Sequence, residues 1–127
     1  MRKEIYITDY NCVTPLGFNV ETNWKALLEG HSGVALHQII DNQDSFYASM
    51  ISTEKLDQEF NSLFEAHTDS NTTRLEKMLF LSLKPLIEKH AINEDTALIL
   101  STTKGNISLL KNQTELPDGV YLSALAQ

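Results

Sequence analysis

The sequence predicts an α/β fold, and three observations carry that expectation. Apolar residues alternate near the start, at Ile5 and Ile7 and then Val13, as in a strand entering a sheet. Further on, apolar residues recur at helical spacing in three stretches. Thr96–Ser101, TALILS, is then a short apolar run that follows the longest of these stretches. A helix followed by an apolar strand is the crossover of a βαβ unit, which places Thr96–Ser101 parallel to the strand at Ile5.

Taken in order, Glu4–Thr8 is the first expected strand and Tyr10-Asn11-Cys12 a loop. Thr14-Pro15-Leu16-Gly17 is a turn. Asn19 stands where a helix N-cap belongs, since its side-chain oxygen can accept from free backbone N–H groups. Val20, Trp24, Leu27 and Leu28 follow as one stripe, which makes Trp24 an expected packing residue. Gly30 suits the left-handed position past the last turn, and His31-Ser32-Gly33 is an exit loop. Val34–Gln43 shows no clear period and reads as irregular. Phe46–Ser52 alternates in part and reads as a short strand.

Lys55–Ala66 repeats Leu56, Phe60, Leu63 and Phe64 at helical spacing, with Ser52 or Thr53 as its cap. His67–Asn71 is polar and breaks the pattern. Thr73-Arg74-Leu75-Glu76 fits a capping box that opens a helix running to about Lys89. That helix is apolar on more than one face. It contains Pro85, which removes one N–H and crowds the preceding turn, so a kink or loosening is expected near Leu81–Pro85. After Thr96–Ser101, Thr102–Asn106 is a loop and Ile107, Leu109 and Leu110 suggest a short helix. Pro117-Asp118-Gly119 is a turn, and Val120–Ala126 reads as the start of another helix.

Composition narrows the function classes. The chain has 127 residues, with 42% apolar and 21% charged side chains, ordinary for one modest globular domain. A net charge of −7 argues against a nucleic-acid surface and an anionic membrane partner. No apolar run is long enough to cross a bilayer, and Met1-Arg2-Lys3-Glu4 is not followed by a signal-peptide core. Cys12 is the only cysteine, which fits a reducing cytoplasm.

Cys12 reads as a small packed thiol, because neither a helix N-terminus nor a base lies in evident reach to activate it. His31, His37, His67 and His90 are scattered, and none pairs at ligand spacing, so no metal site is expected. His90 follows the long helix, where a cation is mildly favourable. Thr102-Thr103-Lys104-Gly105-Asn106 fails the phosphate-loop pattern, which needs an earlier glycine. No catalytic residue and no cofactor are expected.

The residues Val13-Thr14-Pro15-Leu16-Gly17, Trp24, Leu27-Leu28, Gly30 and Ser32-Gly33 resemble the N-terminal signature of β-ketoacyl-(acyl carrier protein) synthases, the condensing enzymes of the thiolase fold. The family pattern runs from a Val/Ile strand through Thr-Gly-x-Gly into Val-Thr-Pro-Leu-Gly, then a Trp-containing helix. This chain departs at Asp9 and Asn11, where glycines are usual. In the long helix it keeps Arg74 and Leu86 but not the family's alanines.

The resemblance implies a partial thiolase-like fold, a mixed sheet with helices on its faces, with residues 1–127 as the N-terminal portion of a longer synthase. Such an enzyme condenses an acyl thioester with malonyl-acyl carrier protein in fatty acid or polyketide-type synthesis, in the cytoplasm. Its implied partners are acyl carrier protein and a second subunit, in a homodimer or a ketosynthase-type heterodimer. The family's nucleophile lies further along, in a Thr-Ala-Cys type turn, and its histidines lie in the C-terminal half, so this chain alone is expected to be inactive. By the same resemblance the loop after Thr96–Ser101 lines the acyl pocket near the dimer interface, which singles out Thr102, Thr103 and Lys104. Two alternatives stand beside this reading: a non-condensing partner subunit, and a small stand-alone α/β interaction domain. The greasy long helix and apolar Thr96–Ser101 further predict self-association.

Overall fold

Local capping chemistry sets where the helices begin and end. The computed structural model describes residues 4–38, 45–64, 72–110, 117–121 and 124. Within them lie helix α1 (Val20–Leu28), strands β1 (Val34–Gln38) and β2 (Ser45–Ser49), and helices α2 (Thr53–Leu63) and α3 (Arg74–Lys89). Two 3-10 turns follow at Ile107–Leu110 and Asp118–Val120.

Asn19 caps α1 by accepting from Thr22 N at 2.9 Å. Gly30 closes it at φ 76°, with Gly30 N–H on Leu27 O (3.0 Å) and His31 N–H on Ala26 O (2.9 Å), the paired bonds of a Schellman ending. Ser52 caps α2 through Lys55 N at 3.1 Å. At α3 the capping box is reciprocal: Glu76 N–H donates to Thr73 Oγ1 (3.3 Å) and Thr73 N–H to Glu76 Oε2 (2.8 Å).

Helices α2 and α3 pack side by side and point the same way. Arg74 donates to Thr53 Oγ1 and Ile51 O, Lys77 meets Asp57 at 2.6 Å, and Phe80 sits 6.1 and 5.6 Å from the rings of Phe60 and Phe64. Each step up α3 thus meets a step up α2, which defines a parallel pair. The core is at this contact: Ile51, Leu56, Phe60 and Leu81 are buried, with Val13, Phe18, Phe64 and Met78 packed against them. It is a small core, because four fully buried apolar side chains are worth only about 1.5–3 kcal/mol each.

The Thr14–Gly17 turn delivers Val13 and Phe18 to that core. Thr14 and Gly17 exchange both backbone hydrogen bonds (2.9 and 3.1 Å), and the Thr14 hydroxyl accepts from Leu16 N at 3.0 Å. A Cβ on Gly17 would collide with the Thr22 side chain, so the turn closes against α1 only with glycine there. Asn23 locks the arrangement. It is 6% exposed, its Oδ1 accepts from the Thr14 hydroxyl, and its Nδ2 donates to Gly17 O (2.9 Å), Asn19 O (2.8 Å) and Cys12 O (3.4 Å).

Three expectations are corrected here. First, the expected buried stripe of α1 faces outward. Trp24 is 62% exposed and Leu27 and Leu28 are exposed too, because Asn23 takes the inward position to reach the turn. Second, among the described residues the sheet has two strands, β1 and β2, paired antiparallel from Val34↔Ser49 to Gln38↔Ser45. The Phe46–Ser52 strand is therefore present in shifted form, and the Val34–Gln38 half of the stretch read as irregular is its partner; residues 39–44 lie outside the described set. Third, Glu4–Thr8 and Thr96–Ser101 are not strands, and their expected parallel pairing is absent among the described residues. Ile5 is 94% and Ile99 89% exposed. An apolar run signals capacity for burial, whereas a strand also needs a neighbour for its backbone groups.

The expected kink or loosening near Leu81–Pro85 does not interrupt the helix: α3 is one helix from Arg74 to Lys89 with Pro85 inside it. The expected polar break at 67–71 lies outside the described residues; of the helix expected over Val120–Ala126, Val120 closes a 3-10 turn, Tyr121 is extended, and of the rest only position 124 is described. No helix among the described residues is long and apolar enough to cross a membrane.

These placements give opposite outcomes for two neighbours on α1. Asn23→Ala should cost about 1–3 kcal/mol, because the Cys12 carbonyl loses its donor and the Thr14 hydroxyl its acceptor in a half-buried turn. Trp24→Ala should stay within about 0.5 kcal/mol. Urea unfolding followed by far-ultraviolet circular dichroism separates the two, and a larger loss for Trp24→Ala would reverse the inside and outside of the helix.

Candidate functional site

An apolar groove runs between α3 and the extended segment Leu98–Leu100. Leu79, Phe80 and Leu83 of the helix form one wall, Leu98, Ile99 and Leu100 the other, and Glu76 stands at one end, around a volume of about 190 Å³. Such a surface can take an aliphatic chain or another apolar side-chain ridge. It offers no free polar side chain for chemistry, because Glu76, the one polar side chain in its lining, is already engaged. Its Oε2 accepts from Thr73 N and its Oε1 from Asn106 Nδ2 at 2.7 Å.

Asn106 is the hub behind this groove. It is 1% exposed, its Oδ1 accepts from the Thr73 hydroxyl at 2.7 Å, and its Nδ2 also donates to Gly119 O at 3.1 Å. One amide thereby ties the start of α3, the loop before Ile107 and the turn at Asp118–Val120.

The three residues singled out from the sequence sit in that loop. Thr102 is half-buried, and its hydroxyl accepts from Gly105 N (3.1 Å) and Lys104 N (3.4 Å). Gly105 takes the left-handed conformation at φ 57°. Together they shape the turn that presents Asn106. Thr103 and Lys104 are exposed. Leu98–Leu100, just upstream, line the groove, and Thr102, Thr103 and Lys104 are not among its lining residues.

A second, polar cluster gathers at the far end of α3. Asp9 Oδ2 accepts from Lys89 Nζ and from His90 Nε2, each at 2.8 Å, and Asp9 Oδ1 accepts from Tyr10 N at 2.9 Å. Hydrogen bonds from Lys89, then His90, then the Tyr10 amide hold the Asp9 carboxyl well below the usual carboxylate range. Beside it, Asn11 Nδ2 donates to Ser82 O (3.1 Å) and approaches Leu81 O (3.5 Å). A hollow of about 350 Å³ opens here between Asp9–Asn11, the start of α1 and the Pro85–Lys89 end of α3, with Glu21 on its rim.

The remaining candidate side chains have structural surroundings. Cys12 is half-buried, and its carbonyl takes the Asn23 amide. His31 lies 3.6 Å from Glu29, and His37 Nε2 lies 3.3 Å from Ala48 O. His67 lies outside the described residues. Among the described residues no group of three potential metal ligands comes together.

Sequence reasoning passed over Asp9, Asn11, Asn23 and Asn106 as sites of interest, although each of these polar side chains joins separate elements. Signals existed. Asp9 and Asn11 are the positions where the chain departs from the glycines of the family pattern, Pro85 leaves a carbonyl in need of a donor, and asparagine is a poor choice inside a helix unless it bonds. No family model, no curated protein and no solved structure matches this chain.

The Asp9 cluster predicts a defined pH dependence. The folded-state carboxyl protonates well below the value of about 3.9 of an unfolded chain, so the unfolded chain takes up the proton first as pH falls. The stabilisation is complete above that value and is lost as pH falls toward the folded-state value. The gap in Tm between the native chain and Asp9→Asn should be full at pH 6 and should narrow progressively as pH falls below about 4. A gap unchanged down to pH 2.5 would show that the carboxylate is not held by these partners.

Proposed function

We propose that this chain is a non-catalytic segment of a β-ketoacyl synthase-type condensing enzyme, contributing pocket wall and subunit surface while acyl transfer is carried out elsewhere in the protein. The observation that supports this reading is the coincidence of two features. The residues that carry the resemblance, Val13–Gly17 and α1 with Gly30, form one hydrogen-bonded unit. Before and after it in the chain, the stretches that the family builds into core strands, around Ile5–Ile7 and Leu98–Ile99, present exposed apolar side chains. These are surfaces suited to further strands.

In this reading the groove along Leu79, Phe80 and Leu83 is the part nearest an acyl chain, and the loop at Thr102, Thr103 and Lys104 lies beside it at the subunit surface. Acyl carrier protein is the partner of the whole enzyme. The cytoplasm is its place of action. The chain alone has no condensing activity, since Cys12, its single cysteine, is tied into the turn next to Asn23 rather than set at a helix N-terminus.

The β1–β2 hairpin favours a second reading. Val34–Gln38, from the stretch whose sequence shows no clear period, pairs with Ser45–Ser49 in an antiparallel ribbon that closes locally. A small stand-alone α/β interaction domain accommodates that feature directly.

Native purification followed by intact-mass measurement and a malonyl-acyl carrier protein decarboxylation assay tests the proposal. A mass well above 14.3 kDa with decarboxylation supports it, and a mass of 14.3 kDa without decarboxylation supports the interaction domain.

The exposed apolar residues predict one further outcome for the isolated chain. Sedimentation at micromolar concentration should show a dimer or larger species. A monomer that binds no apolar dye would remove the argument from uncovered surface.

A further inference from the structure

We infer that Asp9–Asn11 is a strap that holds the Pro85–Lys89 end of α3 in helical form, so that lifting the N-terminal arm, which carries Ile5 and Ile7, frees that end of the helix. Pro85 has no N–H, so the carbonyl of Leu81, four residues earlier, loses its helical donor. Asn11 supplies a side-chain amide at this place, 3.1 Å from Ser82 O and 3.5 Å from Leu81 O.

Beyond Pro85 only Leu86–Lys89 remain helical, about one turn, and a single turn has little stability of its own. The core does not hold it. Leu81 is the last buried residue of α3, whereas Ile87, Glu88 and Lys89 are exposed. The fastening at the far side is Asp9, whose carboxylate takes both Lys89 and His90. Glu21 on α1 is the other charged group beside this cluster, and Glu88 is paired with Lys84 on the helix itself. The break in the helix and the two side chains that span it are therefore matched. Asp9 and Asn11 lie two residues apart on the arm, and their contacts bracket Pro85 on α3.

Because the same arm carries the exposed Ile5 and Ile7, any event that draws the arm elsewhere pulls on the strap. The final turn of α3 is then the element that responds.

Amide hydrogen exchange on the full chain, with the native protein, Asn11→Ala, Pro85→Ala and the double variant, tests this. Asn11→Ala should speed exchange at Leu86–His90 about two- to tenfold while leaving Lys77–Leu81 unchanged. In the Pro85→Ala background the same substitution should have less than about a twofold effect, because the backbone N–H at position 85 again reaches Leu81 O. Asp9→Asn should speed exchange at Lys89 and His90 whether or not Pro85 is present. No acceleration with Asn11→Ala, equal acceleration in both halves of α3, or an effect undiminished in the Pro85→Ala background would each overturn the strap.

Discussion

The amide of Asn23 is the contact on which the arrangement of the first half depends. It accepts from the Thr14 hydroxyl and donates to the carbonyls of Cys12, Gly17 and Asn19, so one side chain satisfies a turn, the loop before it and the start of a helix. With that turn fixed, Val13 and Phe18 reach the contact between α2 and α3. Without it the Cys12 carbonyl and the Thr14 hydroxyl of this half-buried turn would each lose a partner, which is the costly alternative. The outward placement of Trp24 follows from the same constraint, because a helix that presents Asn23 inward turns its apolar stripe away.

The same device recurs wherever elements meet. Asn106 joins the start of α3 to two later turns, Arg74 joins it to the residues that precede and open α2, and Asn11 joins the arm to the middle of α3. Among the described residues apolar burial is confined to the short contact between α2 and α3, with Ile51 just before α2. Directional polar contacts, buried at Asn23 and Asn106, therefore specify the positions that a larger core would otherwise fix. The groove beside Leu98–Leu100 belongs to this picture, since its one carboxylate is consumed in holding Thr73 and Asn106.

What was legible in the sequence was local. Asn19, Gly30, Ser52 and the Thr73–Glu76 box marked helix ends because each acts on backbone groups within a few residues. Pairing was not legible. Ile5–Ile7 and Thr96–Ser101 have strand composition, but composition does not name a partner, and the ribbon formed instead between Val34–Gln38 and Ser45–Ser49. Periodicity likewise showed that α1 has an apolar face and not what covers it. At the candidate site, the Thr102–Lys104 loop follows the Leu98–Leu100 wall in the chain without lining the groove, and Asn106, whose partners lie 33 and 30 residues away in sequence at Thr73 and Glu76, carries no local signature.

The parallel course of α2 and α3 has an electrostatic consequence. Each helix carries a macrodipole equivalent to roughly half a positive charge at its start, and parallel packing sets two such ends side by side, where they repel. Glu54 and Asp57 in the early turns of α2 and Glu76 in the first turn of α3 answer them, and Lys84 and Lys89 lie toward the opposite ends. Several carboxylates counted in the net charge of −7 are thus spent against backbone partial charges. The field that an approaching molecule meets at this end of the helix pair is weaker than a tally of acidic residues suggests.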